Sequence, residues 1–427
     1  MSVNGRIPVL VAAGGAGWEA AALQHLATAG PGIVLLKRCV DLNDLLATAT
    51  TGQAGVALLA HALPGLDGDS VELLRRSGVG LVLVAEPVDL GDGEEARLRR
   101  LGVRHVLDST DLSSLAGTVV SAAEDSGPAA PAPVDDPGGT SEREVGTART
   151  IAVWGPAGAP GRTTVAVNLA AELAARDLET FLLDVDGYGG AVAQHLGVLD
   201  EMSGLLAASR MANAGQLDPA RLGALARAVN PYLRLLTGLP RADRWTEVRD
   251  TAFEQLLDQA RTLARYVVLD TSFCLEEDAR ASFGSGAPQR NAMTLASLEQ
   301  ADEILVVGSA DPVGLARLAR GLVDLLEAVP GSSLRVAVNR ARPSLGWGEK
   351  EVRAMIEGFV TPRSVHFLPD DRAAADRALV AGKALVELGD APLRRAVGAL
   401  ADAVAGTPAA GRTGPRRRLR RSGRVSR

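Results

Sequence analysis

The stretch Ile151-Ala152-Val153-Trp154-Gly155-Pro156-Ala157-Gly158-Ala159-Pro160-Gly161-Arg162-Thr163-Thr164 decides the fold. An apolar run of strand length meets a turn rich in glycine and proline, and a helical pattern continues from Val165. A strand that turns tightly into a helix aims several backbone N–H groups at one point, where the helix also adds partial positive charge. Gly158 and Gly161 let the backbone come close to an anion held there. Thr163 stands where a hydroxyl reaches Mg²⁺, and Arg162 where a cation reaches terminal phosphates. Ala159, Pro160 and Thr164 complete the loop and open the helix. The stretch departs from G-x-x-x-x-G-K-[ST] in two places: Pro156 holds the first glycine position and Arg162 the lysine position. Arginine grips phosphate through its fork but is bulkier than lysine. Lys37, Lys350 and Lys383 are the only lysines among 45 basic residues, so the exchange also follows composition.

Two acidic strand ends strengthen the reading. Phe181-Leu182-Leu183-Asp184-Val185-Asp186 is apolar up to a pair of carboxylates, with Gly187, Gly189 and Gly190 behind it. Tyr266-Val267-Val268-Leu269-Asp270 ends the same way. Ligands of parallel sheets gather at the carboxyl ends of strands. Strands ending at Gly155, Asp186 and Asp270 therefore bring a phosphate nest, a hydroxyl and carboxylates together. That set suits ATP with Mg²⁺ and an oriented water, with Thr163, Asp186 and Asp270 on the metal side and Asp184 supporting Asp186.

The chain has 427 residues, 47% of them hydrophobic, which leaves room for two or three domains and excludes collagenous and wholly disordered classes. Two cysteines, Cys39 and Cys274, exclude a disulfide framework and fit a reducing cytoplasm. No run reaches the length of a membrane span, and no N-terminal signal is expected. Aromatic residues are only 3%, which argues against stacking platforms for single-stranded nucleic acid. The five histidines have no ligand spacing.

Residues 1–123 alternate strand-like and helix-like segments, as in a flavodoxin-like α/β domain with a parallel sheet. Residues 124–149 are rich in proline, glycine and acids and read as a disordered linker. A second α/β domain spans 150–406, with buried-strand candidates at 151–154, 180–185, 266–269, 303–307 and 334–338. Residues 407–427 read as a disordered tail. Eight arginines lie between Gly406 and Arg427 with no acid, and removing them from the net charge of −6 leaves −14 on the rest. The tail is thus a separate basic object, suited to anionic lipid, DNA or an acidic partner.

The second domain resembles the MinD/ParA group of P-loop ATPases, whose loop reads K-G-G-x-G-K-[ST]-T. The match runs through Gly161-Arg162-Thr163-Thr164 and Val165–Ala170. It continues through Ala301-Asp302-Glu303, Val336-Ala337-Val338-Asn339-Arg340, Leu368-Pro369-Asp370-Asp371 and Arg377–Leu385. The resemblance implies ATP and Mg²⁺ as cofactors, adenine facing Asn339 and Arg340, and a nucleotide-favoured homodimer. In that group a signature lysine crosses the dimer. Here its position is Ala157, and after Asp270-Thr271 the expected prolines and glycine are replaced by Ser272-Phe273-Cys274.

The first domain resembles a response-regulator receiver around Pro64-Gly65-Leu66-Asp67-Gly68. Its phosphoacceptor position is Ala60, its acidic pair is Ala12-Ala13, and its lysine position is Asp108, so the resemblance is to a pseudo-receiver without phosphoryl chemistry. A pseudo-receiver joined by a linker to a MinD/ParA-type domain is the layout of CpaE/TadZ proteins. They localise the Tad/Flp pilus secretion machinery, and related proteins bear a septum-site label. The resemblance implies a cytoplasmic protein, peripheral at the inner face of the cell membrane, with partners in such a machinery. Three readings follow: a hydrolysing ATPase switch, a scaffold without useful turnover, and a DNA-partition protein using the arginine tail.

Overall fold

The computed structural model describes residues 6–30, 32–126, 148–158, 160–198, 202–276 and 289–406. The core of the linker, Ala159, the glycine- and serine-rich Ser282–Gly286 and the arginine tail lie outside the described residues. Apolar segments too short for helices form the strands, and both faces of each central strand are covered by helices. Those strands are therefore almost uniformly apolar rather than alternating.

The first unit runs β1 (Ile7–Ala12), α1 (Glu19–Thr28), β2 (Ile33–Arg38), α2 (Leu42–Ala49), β3 (Val56–Ala60), α3 (Gly68–Arg76), β4 (Gly80–Ala85), α4 (Asp92–Arg100), β5 (His105–Asp108) and α5 (Leu115–Glu124). Its five strands are parallel, in the order β2-β1-β3-β4-β5. That is the flavodoxin-like order. Asp67 starts α3 through a capping box with Ser70, which fixes the Pro64–Gly68 turn. At the carboxyl edge of the sheet Ala12, Ala13 and Ala60 are all buried. Gly80 is required by packing: a Cβ there would lie 2.1 Å from the Ala122 carbonyl oxygen of α5.

The second unit opens with β6 (Arg149–Trp154), α6 (Arg162–Ala174), β7 (Thr180–Val185), α7 (Val192–His195), α8 (Gly204–Asn213), α9 (Pro219–Leu225), β8 (Arg227–Asn230) and β9 (Leu233–Leu236). It continues with α10 (Asp250–Leu263), β10 (Tyr266–Thr271), α11 (Ala292–Glu299), β11 (Glu303–Ser309), α12 (Pro312–Ala328) and β12 (Leu334–Ala341). It closes with α13 (Glu349–Glu357), β13 (Val365–Pro369), α14 (Arg372–Ala381) and α15 (Pro392–Ala405). The sheet order is β13-β12-β11-β6-β10-β7-β9-β8, parallel except for the β8–β9 hairpin. The strand bearing the decisive loop, β6, is central, between β11 and β10.

Helices α6, α14 and α15 cover one face of this sheet. Helices α8 and α10 cover part of the other face, and α12 and α13 the rest. A buried ionic cluster locks the layers. Glu303, fully buried on β11, pairs with Arg149 of β6 and Arg335 of β12. Arg335 also donates to Ser364 Oγ and the Ala403 carbonyl. Glu172 of α6 takes Arg176 at 2.7 Å and Arg394 of α15 at 2.9 Å.

The two units meet along α3 and α4 against α8 and α10. Arg97 Nε donates to Ala214 O at 2.7 Å, and Arg100 Nε to Gly215 O at 2.8 Å. Asp69 accepts the Thr251 hydroxyl at 3.2 Å and pairs with Arg249 at 3.3 Å. Gly215, at φ +66°, lies so close that a Cβ would sit 2.8 Å from Leu101 Cγ.

Candidate functional site

The site lies at the carboxyl end of the second sheet, where β6 stops at Trp154. Gly155 fits only without a side chain, since a Cβ would lie 2.2 Å from the Val307 carbonyl oxygen of β11. Gly158 and Gly161 have φ of +106° and +100°, which L side chains rarely adopt. These turns release the chain straight into α6. Among the described residues no backbone acceptor takes the N–H groups of Gly161, Arg162, Thr163 or Thr164. Such first-turn donors are what a helix start offers to an anion. Ala157 and Gly158 are exposed, so the nest is open to solvent.

Arg162 does not extend outward. Its Nε reaches Thr271 O at 3.2 Å, and Nη1 reaches Gly155 O at 3.3 Å and Pro156 O at 3.4 Å. Nη2 stands 3.8 Å from Asp186 Oδ2, and the guanidinium lies 5.9 Å from the Phe273 ring centroid. The loop arginine thus ties its own loop to the end of β10.

The three carboxylates converge as their strand positions demand, because β10 lies beside β7 with Asp270 in register with Asp184. Asp270 is fully buried, with Thr163 beside it, and among the described residues neither carboxylate oxygen is met with good hydrogen-bond geometry. Burial pushes its carboxyl well above the ordinary range and Asp184 adds to this, while Thr163 and Arg162 pull the other way. Asp184 is raised to about 7 by burial, with Asp186 contributing, against hydrogen bonds from backbone N–H groups. Those donors are Val192 N at 3.1 Å and Asp186 N at 3.3 Å. Gly190 and Gly238 cage the Asp184 carboxylate: a Cβ on either would come within 2.6 Å of it. Asp186 caps its own turn, accepting Tyr188 N at 2.9 Å and Gly189 N at 3.3 Å.

Asn339 lies near the carboxyl end of β12, against the loop. Its Nδ2 donates to Pro160 O at 2.8 Å and its Oδ1 accepts Arg340 N at 2.9 Å, so both polar ends are used inside the chain. Arg340 has φ +58° and is exposed at the mouth of the loop. The sequence-selected residues Gly158, Pro160, Gly161, Arg162, Thr163, Thr164, Asp184, Asp186, Asp270, Asn339 and Arg340 thus gather at one sheet end. Asn339 serves there as a brace for the loop, and Asp184 lies behind glycine backbone.

Sequence reading missed Arg317 of α12, whose guanidinium lies against Gly158: a Cβ at Gly158 would be 2.0 Å from Nη1. It comes from over 150 residues along the chain, and no local pattern marks it. Also missed were β8, β9 and β13, which widen the sheet beyond the five strands expected. A cavity of about 350 Å³ opens beside β12 and α13, lined by Trp347, Phe367, Pro343 and Arg342 among others.

The chain fits a nucleotide carrying Mg²⁺. Asp270 brings two buried oxygens not met with good hydrogen-bond geometry among the described residues, and Thr163 stands at the start of α6 beside it. Among the described residues no group of three or more His, Cys, Asp or Glu side chains could hold a metal ion. Mg²⁺ commonly needs only one or two carboxylates when phosphates supply the remaining oxygens. Among the described residues no helix is long and apolar enough to cross a membrane.

No family model matches the chain, and no curated protein matches it. Solved structures do. A ParA family ATPase from Chlorobium tepidum TLS aligns with a TM-score of 0.50 at 18% identity, over 59% of this chain and 98% of that one. The cell division ATPase MinD of Pyrococcus furiosus aligns at 0.48 and 16%, over 60% of this chain and 98% of its own. The septum site-determining protein MinD complexed with Mg-ADP from Pyrococcus horikoshii OT3 aligns at 0.47 and 15%, over 60% and 96%. The first of these likenesses, with the sheet order above, shows that the second unit shares the parallel-sheet fold of a ParA family ATPase. The first unit adds a flavodoxin-like sheet to it.

Proposed function

We propose that this chain is an ATP-binding switch of the MinD/ParA type. ATP with Mg²⁺ binds at Gly158, Gly161, Arg162, Thr163 and Thr164, with Asp270 and Asp186 on the metal and water side. One observation carries this reading: N–H donors without a backbone acceptor among the described residues, at the start of α6, share a sheet end with Asp270, a buried carboxylate whose oxygens have no hydrogen-bond partner among those residues. The donors suit phosphate, and the carboxylate suits a hydrated cation. Bound nucleotide favours a homodimer, and the dimer positions a membrane-associated machinery through the pseudo-receiver unit. The layout resembled in the sequence makes a Tad/Flp pilus or related secretion machinery the first candidate and a septum site the second. Peripheral contact with the cell membrane belongs to the same reading.

A second reading, a scaffold that holds nucleotide without useful turnover, is favoured by Ala157 and by the commitment of Arg162 to three carbonyl oxygens. DNA binding through residues 407–427 is the third. It requires a steep salt dependence that is lost when the tail is deleted.

The test is calorimetry of the purified chain with ATP, with and without Mg²⁺, beside Arg162→Ala. Micromolar binding that needs Mg²⁺ supports the switch, and single-turnover hydrolysis then separates ATPase from scaffold. No binding at millimolar ATP overturns the nucleotide reading.

A further inference from the structure

A cavity of about 140 Å³ opens between the phosphate loop and the first turns of α12, with Ala157, Gly158, Ser309, Arg317 and Arg340 in its wall. Its cations are uncommitted. Neither the Arg317 nor the Arg340 guanidinium has an ion pair or hydrogen bond among the described residues, and both residues are exposed. The one acid in the wall, Asp311, caps α12, taking Ser309 Oγ at 2.5 Å and Gly314 N at 2.9 Å. Arg162 is in the opposite state, its donors spent on Thr271, Gly155 and Pro156. The exposed side of the loop thus lacks a lysine at Ala157, yet a guanidinium from another element lies against Gly158, one residue on.

We propose that Arg317 supplies from α12, in the same chain, the cationic contact to the terminal phosphates that Ala157 cannot supply from the loop. The ligand class is the polyphosphate chain of a nucleoside triphosphate, and the inference rests on the nucleotide reading above. A guanidinium binds phosphate oxygens in a fork and stays charged at all physiological pH values. Because it lies on the exposed side of the loop, Arg317 is expected to discriminate by phosphate number, favouring a third phosphate over the second.

The experiment measures Mg²⁺-dependent binding of ATP, ADP and inorganic tripolyphosphate to the full chain, to Arg317→Ala and Arg317→Lys, and to Arg320→Ala. Arg320 lies one turn further along α12, is exposed and does not line the cavity, so it carries the same charge change without the contact. Arg317→Ala is expected to weaken ATP about tenfold or more, the scale of one charge-assisted hydrogen bond, and to leave ADP within about twofold. Arg317→Lys recovers part of the loss, and Arg320→Ala leaves both ligands unchanged. Tripolyphosphate that follows ATP through the variants supports the phosphate contact; tripolyphosphate insensitive to Arg317→Ala overturns it. Equal weakening of ATP and ADP, or equal loss in Arg320→Ala, overturns the assignment of Arg317 while the nucleotide reading stands. An unaltered chain that binds no nucleotide overturns both.

Discussion

The buried carboxylate set makes stability depend on pH in an unusual direction. Asp184 has an ordinary value of 3.8 and is raised to about 7 in the fold, chiefly by burial. Between those values the folded chain holds a proton that the unfolded chain has released. Stability from this group therefore rises as pH falls from about 7 toward 4, and is lost as pH rises through that window. At about 1.4 kcal/mol per pH unit, moving from pH 7 to pH 5 gains roughly 2 kcal/mol, allowing for partial protonation at pH 7. Asp270 acts in the same direction. His366 opposes it: burial, Arg335 and Arg353 hold the imidazole down to about 4, so acidification favours the unfolded chain there. The readout is therefore a difference. Urea unfolding of the chain and of Asp184→Asn, followed by far-ultraviolet circular dichroism from pH 5 to 8, cancels the His366 contribution. The lost acceptor opposite Val192 N adds an offset that does not vary with pH. The unaltered chain is expected to gain roughly 2 kcal/mol on the variant between pH 7 and 5. A difference that stays flat across the range refutes a protonated carboxyl at this position.

Three further outcomes follow from packing. Gly161→Ala places a methyl group 2.4 Å from Asn339 Nδ2 at φ +100°, so nucleotide binding measured by calorimetry should be lost while circular dichroism stays unchanged. Glu303→Ala strands Arg149 and Arg335, and the second unit should lose about 3–5 kcal/mol in urea unfolding, with Glu303→Gln losing less. Arg97→Ala combined with Arg100→Ala removes two contacts to the carbonyls of Ala214 and Gly215. The radius of gyration by small-angle scattering should rise, while each unit keeps its own unfolding transition; an unchanged radius would assign the docking to other contacts.

What was legible in the sequence was what neighbouring residues fix. Strand, turn and helix succeed one another at 151–174 because apolar run, glycine turn and alanine-rich helix are each encoded locally. Asp184, Asp186 and Asp270 were readable because a carboxylate that ends a buried run has no other place in a parallel sheet than its rim. The edge strands were harder. β8 and β9 have four residues each, with Arg227 and Arg234 in them, so length and polarity hid their pairing. β13 was seen only as a motif, since Pro369 ends it and His366 interrupts its apolar run.

The unreadable part of the site was the part made by distant elements, and it changes how the loop is understood. Judged alone, Ala157 and Arg162 look like the loss of two cations. In the fold, Arg162 is drawn inward toward Asp186 and the end of β10, and Asn339 braces the loop through Pro160. The outward charge comes from Arg317 and Arg340, on α12 and at the end of β12. A lysine at position 157 would be placed by the loop alone. An arginine on a 17-residue helix is placed by the packing of Leu315, Leu318, Leu322 and Leu325 against β11 and its neighbours. On the proposed nucleotide reading, the loop can then lose its own cations and still face phosphate with positive charge, provided α12 stays docked.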